Sequence, residues 1–133
     1  LPAIPNLTPR SPSAPTRALG THALIELNRC PGALLRDREK LEALLIDSAT
    51  QAGAHVVESV FHQFNPHGLS GVVVIAESHI TVHTWPEHGY AAIDVFTCGD
   101  PAIARRIQDR IIEGFAPATA TAQTITRGPS NRS

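Results

Sequence analysis

The order of elements in the sequence predicts an α+β fold, a two-layer sandwich of a mainly antiparallel sheet with two helices packed on one face. Three observations predict it. Two segments carry apolar residues at helical spacing, short β-branched runs separated by turn residues lie between them, and a further strand-like segment stands at each end. The first strand, Thr21 to Leu27, partly alternates apolar and polar residues and is ended by Pro31 and Gly32. Leu34, Leu41, Leu44, Leu45, Ala49 and Ala52 then mark the first helix, and Gly53 sits where a helix-closing residue belongs. Val56 to Phe64 is β-branched and aromatic, Asn65-Pro66-His67-Gly68 is turn chemistry, and Gly71 to Ala76 is a short apolar strand. Ile80 to Trp85 and Tyr90 to Thr97 follow, joined through Pro86-Glu87-His88-Gly89. Asp100 as N-cap and Pro101 behind it open a second helix with Ile103, Ile107 and Ile111 on one face and Gly114 as its stop. Thr119 to Thr126 reads as the last strand.

A chain of 133 residues has room for one domain with a single core. Residues 1–18 hold five of the eleven prolines and no acidic residue, so they are expected to form a disordered or polyproline-like extension. Arg and Ser without acids also match an organelle transit peptide, but prolines break the amphipathic helix such a peptide needs. The folded domain is expected over 19–127, with a frayed tail over 128–133. Eleven basic against twelve acidic residues leave no electrostatic footprint for nucleic acid or an anionic membrane, and a small, neutral partner is expected. With no apolar run of membrane-spanning length and no secretory signal pattern, a soluble, cytoplasmic protein is expected. Cys30 and Cys98 form no CxxC pattern and are expected to be reduced thiols.

The chemistry concentrates between Ser70 and Trp85. As one strand this stretch would span about 53 Å, longer than so small a domain accommodates. It must turn, and Glu77-Ser78-His79 is the polar triplet at its middle. That triplet has no Gly, Pro or Asn, so backbone strain is expected at Ser78, against the bland reading of an ordinary polar kink. If Pro86 to Gly89 is a four-residue hairpin loop, Trp85 faces Tyr90, and Cys98 lies across from Glu77 and beside Ser78. Alternation then puts His79, Thr81 and His83 on one face with Asp94, Phe96 and Cys98. An imidazole, a thiol and a strained Ser are expected to converge. Three readings follow: His83 and Cys98 simply buried in the sheet, a zinc site from His79, His83, His88 and Cys98, or acyl chemistry at Ser78. Alternation leaves His79 and His83 about 13 Å apart, a poor spacing for shared metal ligands, and no metal is assigned.

The runs Phe61-His62-Gln63-Phe64, Ser70-Gly71-Val72-Val73-Val74, Glu77-Ser78-His79 and His83-Thr84-Trp85-Pro86-Glu87, continuing from Gly89 to Gly99, decide among these. The segment from Phe61 to Gly99 closely resembles the small prokaryotic class of S-adenosylmethionine decarboxylase proenzymes. The resemblance implies that Ser78 Oγ attacks the Glu77 carbonyl, that the chain is cut between 77 and 78 into β and α chains, and that Ser78 becomes a pyruvoyl group. It implies processing roles for Ser70 and His83, His83 as acid/base, and the proton-donor role for Cys98. The pyruvoyl ketone would form a Schiff base with the substrate amine and act as electron sink, yielding the aminopropyl donor for spermidine synthesis. Phe64 and Trp85 suit a sulfonium cation with its flat adenine, and Glu87 completes the substrate-binding set the resemblance implies. The partners implied are S-adenosylmethionine and a second copy, in a homodimer of processed αβ protomers that builds each site from both. Arginine or ornithine decarboxylation by the same machinery is the near alternative. A non-catalytic ferredoxin-like binding domain, which would stay uncut, is the distant one.

Overall fold

The computed structural model describes residues 18–129, so the expected extension and tail lie almost wholly outside the described residues. Within them the chain runs β1 (Gly20–Asn28), α1 (Gly32–Leu35), α2 (Arg38–Gln51), β2 (Val56–Gln63), β3 (Leu69–Ile75), β4 (Ser78–Trp85), β5 (Tyr90–Thr97), α3 (Pro101–Phe115) and β6 (Thr119–Arg127). The strands form one antiparallel sheet in the order β2-β3-β4-β5-β1-β6. Ile25, Leu27, Val73, Ile80, Val82, Ile93 and Val95 are buried on one face against Leu41 and Leu45 of α2 and Ile107 and Ile111 of α3. Among the described residues no helix packs on the opposite, outer face. The α+β sandwich is therefore as expected.

The helices differ in detail from the sequence reading. The expected first helix is two, because Asp37 turns its side chain back to accept from the Lys40 N–H at 3.1 Å and caps α2, leaving α1 as a single turn. Gly53, at φ +100°, closes α2 as expected. Asp100 caps α3 by accepting from the Ala102 N–H at 2.9 Å, also as expected. Gly114 does not stop α3, which runs on to Phe115 and ends at Ala116 with φ +48°. Its role is contact: a Cβ there would lie 2.8 Å from Leu44 Cδ1, so the missing side chain lets α3 approach α2.

Glycine has a similar steric role in the sheet. Gly71 pairs with Phe61, and a Cβ on Gly71 would meet the Phe61 ring at 2.3 Å. The ring is buried in the space this glycine leaves. Gly71→Ala should therefore lower stability by about 1–3 kcal/mol, as overpacking does. Urea denaturation measures it, and an unchanged midpoint would show that the ring moves aside freely.

Candidate active site

The hairpin between β3 and β4 is the tightest in the sheet. Ile75 pairs with Ser78, leaving only Ala76 and Glu77 to reverse the chain. Glu77 takes φ +62°, a left-handed conformation that costs a residue with a Cβ about 1–2 kcal/mol. The strain thus sits one residue before the expected position, at Glu77 itself, whose carbonyl precedes the Ser78 nitrogen. The Ala76 N–H donates to the His55 carbonyl at 2.9 Å and pins the turn to the chain leading into β2.

The β4–β5 pairing is the expected one, with Trp85 opposite Tyr90, His83 opposite Ala92 and His79 opposite Phe96. Gly89 at φ +63° closes the short 3-10 turn Pro86–His88 that makes this register possible. It brings Cys98 beside Ser78, where the Cys98 N–H donates to Ser78 Oγ at 3.4 Å. Cys98 is a free, exposed thiol, whereas burial pushes the thiol of Cys30 up in pKa. A cavity of about 270 Å³ adjoins Ser78 on the helix side of the sheet.

His83 does not join this group. It pairs with Ser70, whose Oγ lies 2.8 Å from His83 Nδ1. Five positions along β4 separate it from Ser78, about 17 Å at the ~3.3 Å rise of a strand. The expected convergence of Ser, thiol and imidazole within one chain is thus corrected by strand geometry: five residues along β4 set Ser78 and His83 far apart and on opposite faces of the strand. Ser70 and His83 instead line a second cavity, of about 290 Å³, with Phe64, His67, Trp85 and Glu87. The loop carrying His67 is closed by the Phe64 N–H donating to the Gly68 carbonyl at 2.9 Å. Trp85 lies against Tyr90 at 5.1 Å between ring centroids. Ser78 with Cys98 and Ser70 with His83 are therefore two separate groups on the chain.

Between them lies a cluster that sequence reasoning missed. Asp94 accepts from Thr81 Oγ1 at 2.9 Å and pairs with His22 Nε2 at 3.1 Å. Alternation had put Thr81 and Asp94 together, but His22 comes from β1, 72 positions away, and no local signal sets that register. Tyr90 gives a hydrogen bond to Glu26 on the same face, which pushes the phenol up to about 12. His79 packs against Phe96 at 5.6 Å, and among the described residues no three metal-binding side chains come together.

Comparison with known proteins agrees with this architecture. Residues 21–128 match the S-adenosylmethionine decarboxylase family. The S-adenosylmethionine decarboxylase proenzyme of Thermodesulfovibrio yellowstonii is 50% identical over 111 residues, 84% of this chain and 82% of that protein. That of Clostridium kluyveri is 49% identical over 110 residues, 83% of this chain and 87% of its own. The crystal structure of the Aquifex aeolicus adenosylmethionine decarboxylase superposes with a TM-score of 0.82 at 39% identity, covering 87% of this chain and 96% of that one. The Trypanosoma brucei enzyme shares the fold at 13% identity and a TM-score of 0.58, over 77% of this chain and 44% of that one. On these matches the chain belongs to the S-adenosylmethionine decarboxylase family.

Proposed function

We propose that this chain is a self-processing proenzyme that cuts itself between Glu77 and Ser78 and decarboxylates S-adenosylmethionine with the pyruvoyl group so formed. The observation that carries this reading is the left-handed Glu77 next to a serine whose hydroxyl oxygen is held by a backbone N–H. Attack of Ser78 Oγ on the Glu77 carbonyl carbon moves the acyl group from nitrogen to oxygen. The two-residue turn is thereby broken and its strain released. The Cys98 N–H favours charge developing on Oγ as its proton leaves. Loss of the residue 78 α-proton then breaks the Cβ–O bond, freeing Glu77 as a carboxylate. Water replaces the nitrogen of residue 78, which departs as ammonia. The β chain would be residues 1–77 and the α chain would begin at 78.

His83 is the proton carrier for these steps, with Ser70 holding its ring. Because His83 cannot reach Ser78 of its own chain, the carrier comes from a second copy. The bare outer face supports this assembly: Val60, Val74, Trp85 and Ile125 are exposed there with no helix over them. A two-fold axis through that face between Ile80 and Thr81 would lay the Ser78 end of each β4 against the His83 end of its partner, an isologous contact.

The pyruvoyl group, when formed, supplies the electron sink for loss of the carboxylate. Phe64 and Trp85 give aromatic faces for the sulfonium and adenine, and Glu87 a carboxylate at the rim of the same cavity. Cys98 donates the proton that replaces the carboxylate. A free thiol in that role needs reducing surroundings, which supports a cytoplasmic location.

Intact mass under denaturing conditions should show two fragments divided between Glu77 and Ser78, the second without a free amino terminus. Glu77→Gly relieves the turn and should slow the cut by roughly 5–30-fold, the rate equivalent of the lost strain. A chain that stays whole on prolonged incubation would refute self-processing.

Chains carrying His83→Ala or Ser78→Ala should each remain intact alone. Produced together in equal amounts, about half of the His83→Ala chains should be cut by partners that supply His83. Cleavage of His83→Ala protein at the normal rate by itself would remove the shared site.

Processed Cys98→Ala protein should fold yet lose turnover on the order of 100- to 10,000-fold, the range for a general acid. Carbon dioxide release from labelled S-adenosylmethionine, arginine and ornithine supplies the rates. Wild-type turnover in the variant would clear Cys98 of the role, and a higher kcat/KM for arginine or ornithine in the unmodified enzyme would reassign the substrate.

A further inference from the structure

The cavity beside Ser78 has a composition that the processing reaction does not use. It is enclosed by Ile75 at the end of β3, Ile103 and Ile107 of α3, the Gly53–His55 connection and Gly99. Ile75 and Ile107 are buried and close its inner end. The polar groups in its wall are already engaged or sit at its edge. Thr97 shares its hydroxyl with Thr21 at 3.2 Å, and Asp100 is committed to the N–H of Ala102. His55, the one lining side chain able to carry positive charge, is exposed. Among the described residues the recess is therefore lined by no buried cation; the nearest guanidinium, that of exposed Arg106, lies behind Gly53 and is committed to the Ala52 carbonyl.

Its position relative to Cys98 matters as much. Thr97 and Gly99 line it, whereas Cys98, in the bend just past β5, is exposed and does not; carried one residue past the strand, the alternation of β5 would put its thiol on the outer side. The aromatic pair Phe64 and Trp85 would also reach residue 78 from the outer face, through the partner. Two directions around residue 78 are thus distinguished, an outer one with a proton source and aromatic rings, and an inner one that is apolar.

We propose that this recess is the decarboxylation pocket: it takes the α-carboxylate of the amino-acid substrate and receives it as carbon dioxide. The inference rests on the reading of residue 78 as the point that holds the substrate amine. With the substrate's long side chain and the proton donor both on the outer side, the carboxylate is left to the helix side. The bond from Cα to the carboxylate carbon breaks, its electron pair stays with the Cα side, and neutral carbon dioxide remains in the recess. Cα then takes one proton from the Cys98 thiol across from it. An apolar wall without a cation disfavours the charged carboxylate and suits the neutral product, so it acts on the difference between ground and transition states. Cutting the chain between Glu77 and Ser78 opens the recess towards residue 78, since Ala76 and Ser78 both belong to its wall.

Filling the recess tests this. A Cβ at Gly99 meets nothing within 4 Å, so Gly99→Val has room to fold and narrows the space, and Ala54→Leu narrows it from the opposite wall. Both should still be cut at 77–78 by intact mass. Both should bind the decarboxylated product amine, measured by calorimetry, as the unmodified enzyme does, because that amine has no carboxylate. Turnover of S-adenosylmethionine should fall on the order of 10-fold or more, the loss expected when a reacting group is misplaced. Unchanged turnover in both variants, or product binding that weakens in step with turnover, would overturn the proposal. Arginine and ornithine carry the same α-carboxylate. An unmodified enzyme that releases carbon dioxide from none of the three would therefore sink the decarboxylase reading, whereas an active enzyme indifferent to both substitutions sinks only the recess.

Discussion

The pairing of Ile75 with Ser78 is the constraint on which the site depends. Once these two residues face each other, the chain must reverse within Ala76 and Glu77, and neither is a residue that adopts a left-handed turn freely. Such strain persists only where its surroundings over-determine it. Here they do: β4 is flanked on both sides, by β3 and β5, and the turn is tied through Ala76 to the His55 carbonyl. The sheet holds a peptide bond in a conformation that it would leave if it were free. The energy involved is small beside the stability of a domain, but it is stored in the residue whose carbonyl we propose to be attacked.

The regularity that imposes the strain also divides the machinery. A strand carries its side chains forward at a fixed rise, so residues on a shared face separate steadily along it. Ser78 and His83 belong to one strand, five residues apart and therefore on opposite faces, and no side-chain rotation closes that gap. In the assembly we propose, a second copy turned about a two-fold axis would remove the conflict, because it would bring one end of β4 against the other. The same operation covers the exposed Val60, Val74 and Ile125, so the apolar outer face and the divided site have a common solution. Folding of one chain and completion of its chemistry are then separate events.

Local features of this architecture were legible in the sequence. The Pro86–Gly89 loop fixed the β4–β5 register, and that register placed Cys98 beside Ser78, as the structure shows. Asp100 with Pro101, and Gly53, marked helix ends because caps are local chemistry. The helix break at Asp37 was not legible, since helical spacing runs through it and only the side chain's return to Lys40 shows the cap. Gly114 looked like a stop because its contact with Leu44 depends on how two helices cross. His22 meeting Asp94 follows from β1 joining β5 across most of the chain, which no periodicity encodes. The separation of His83 from Ser78 is of another kind: strand rise and alternation both encode it, since five residues along one strand set two side chains about 17 Å apart on opposite faces.

The position of Ser78 at a strand end has a chemical consequence beyond strain. A residue in the middle of β4 has one side in the core and one on the outer face, as Ile80 and Val82 do by burying their side chains completely. At the hairpin end of β4 the helix layer leaves space on the inner side, while the bend just past β5 supplies the Cys98 N–H. A reacting centre there is open from both faces of the sheet, so groups of opposite character, an apolar recess and a proton donor, can act on it without sharing a wall. Moving the same serine two positions inward, to the place of Ile80, would bury it in the core and take it away from the tight turn. In the proposed scheme the hairpin end would satisfy the requirements of cleavage and of decarboxylation with a single residue.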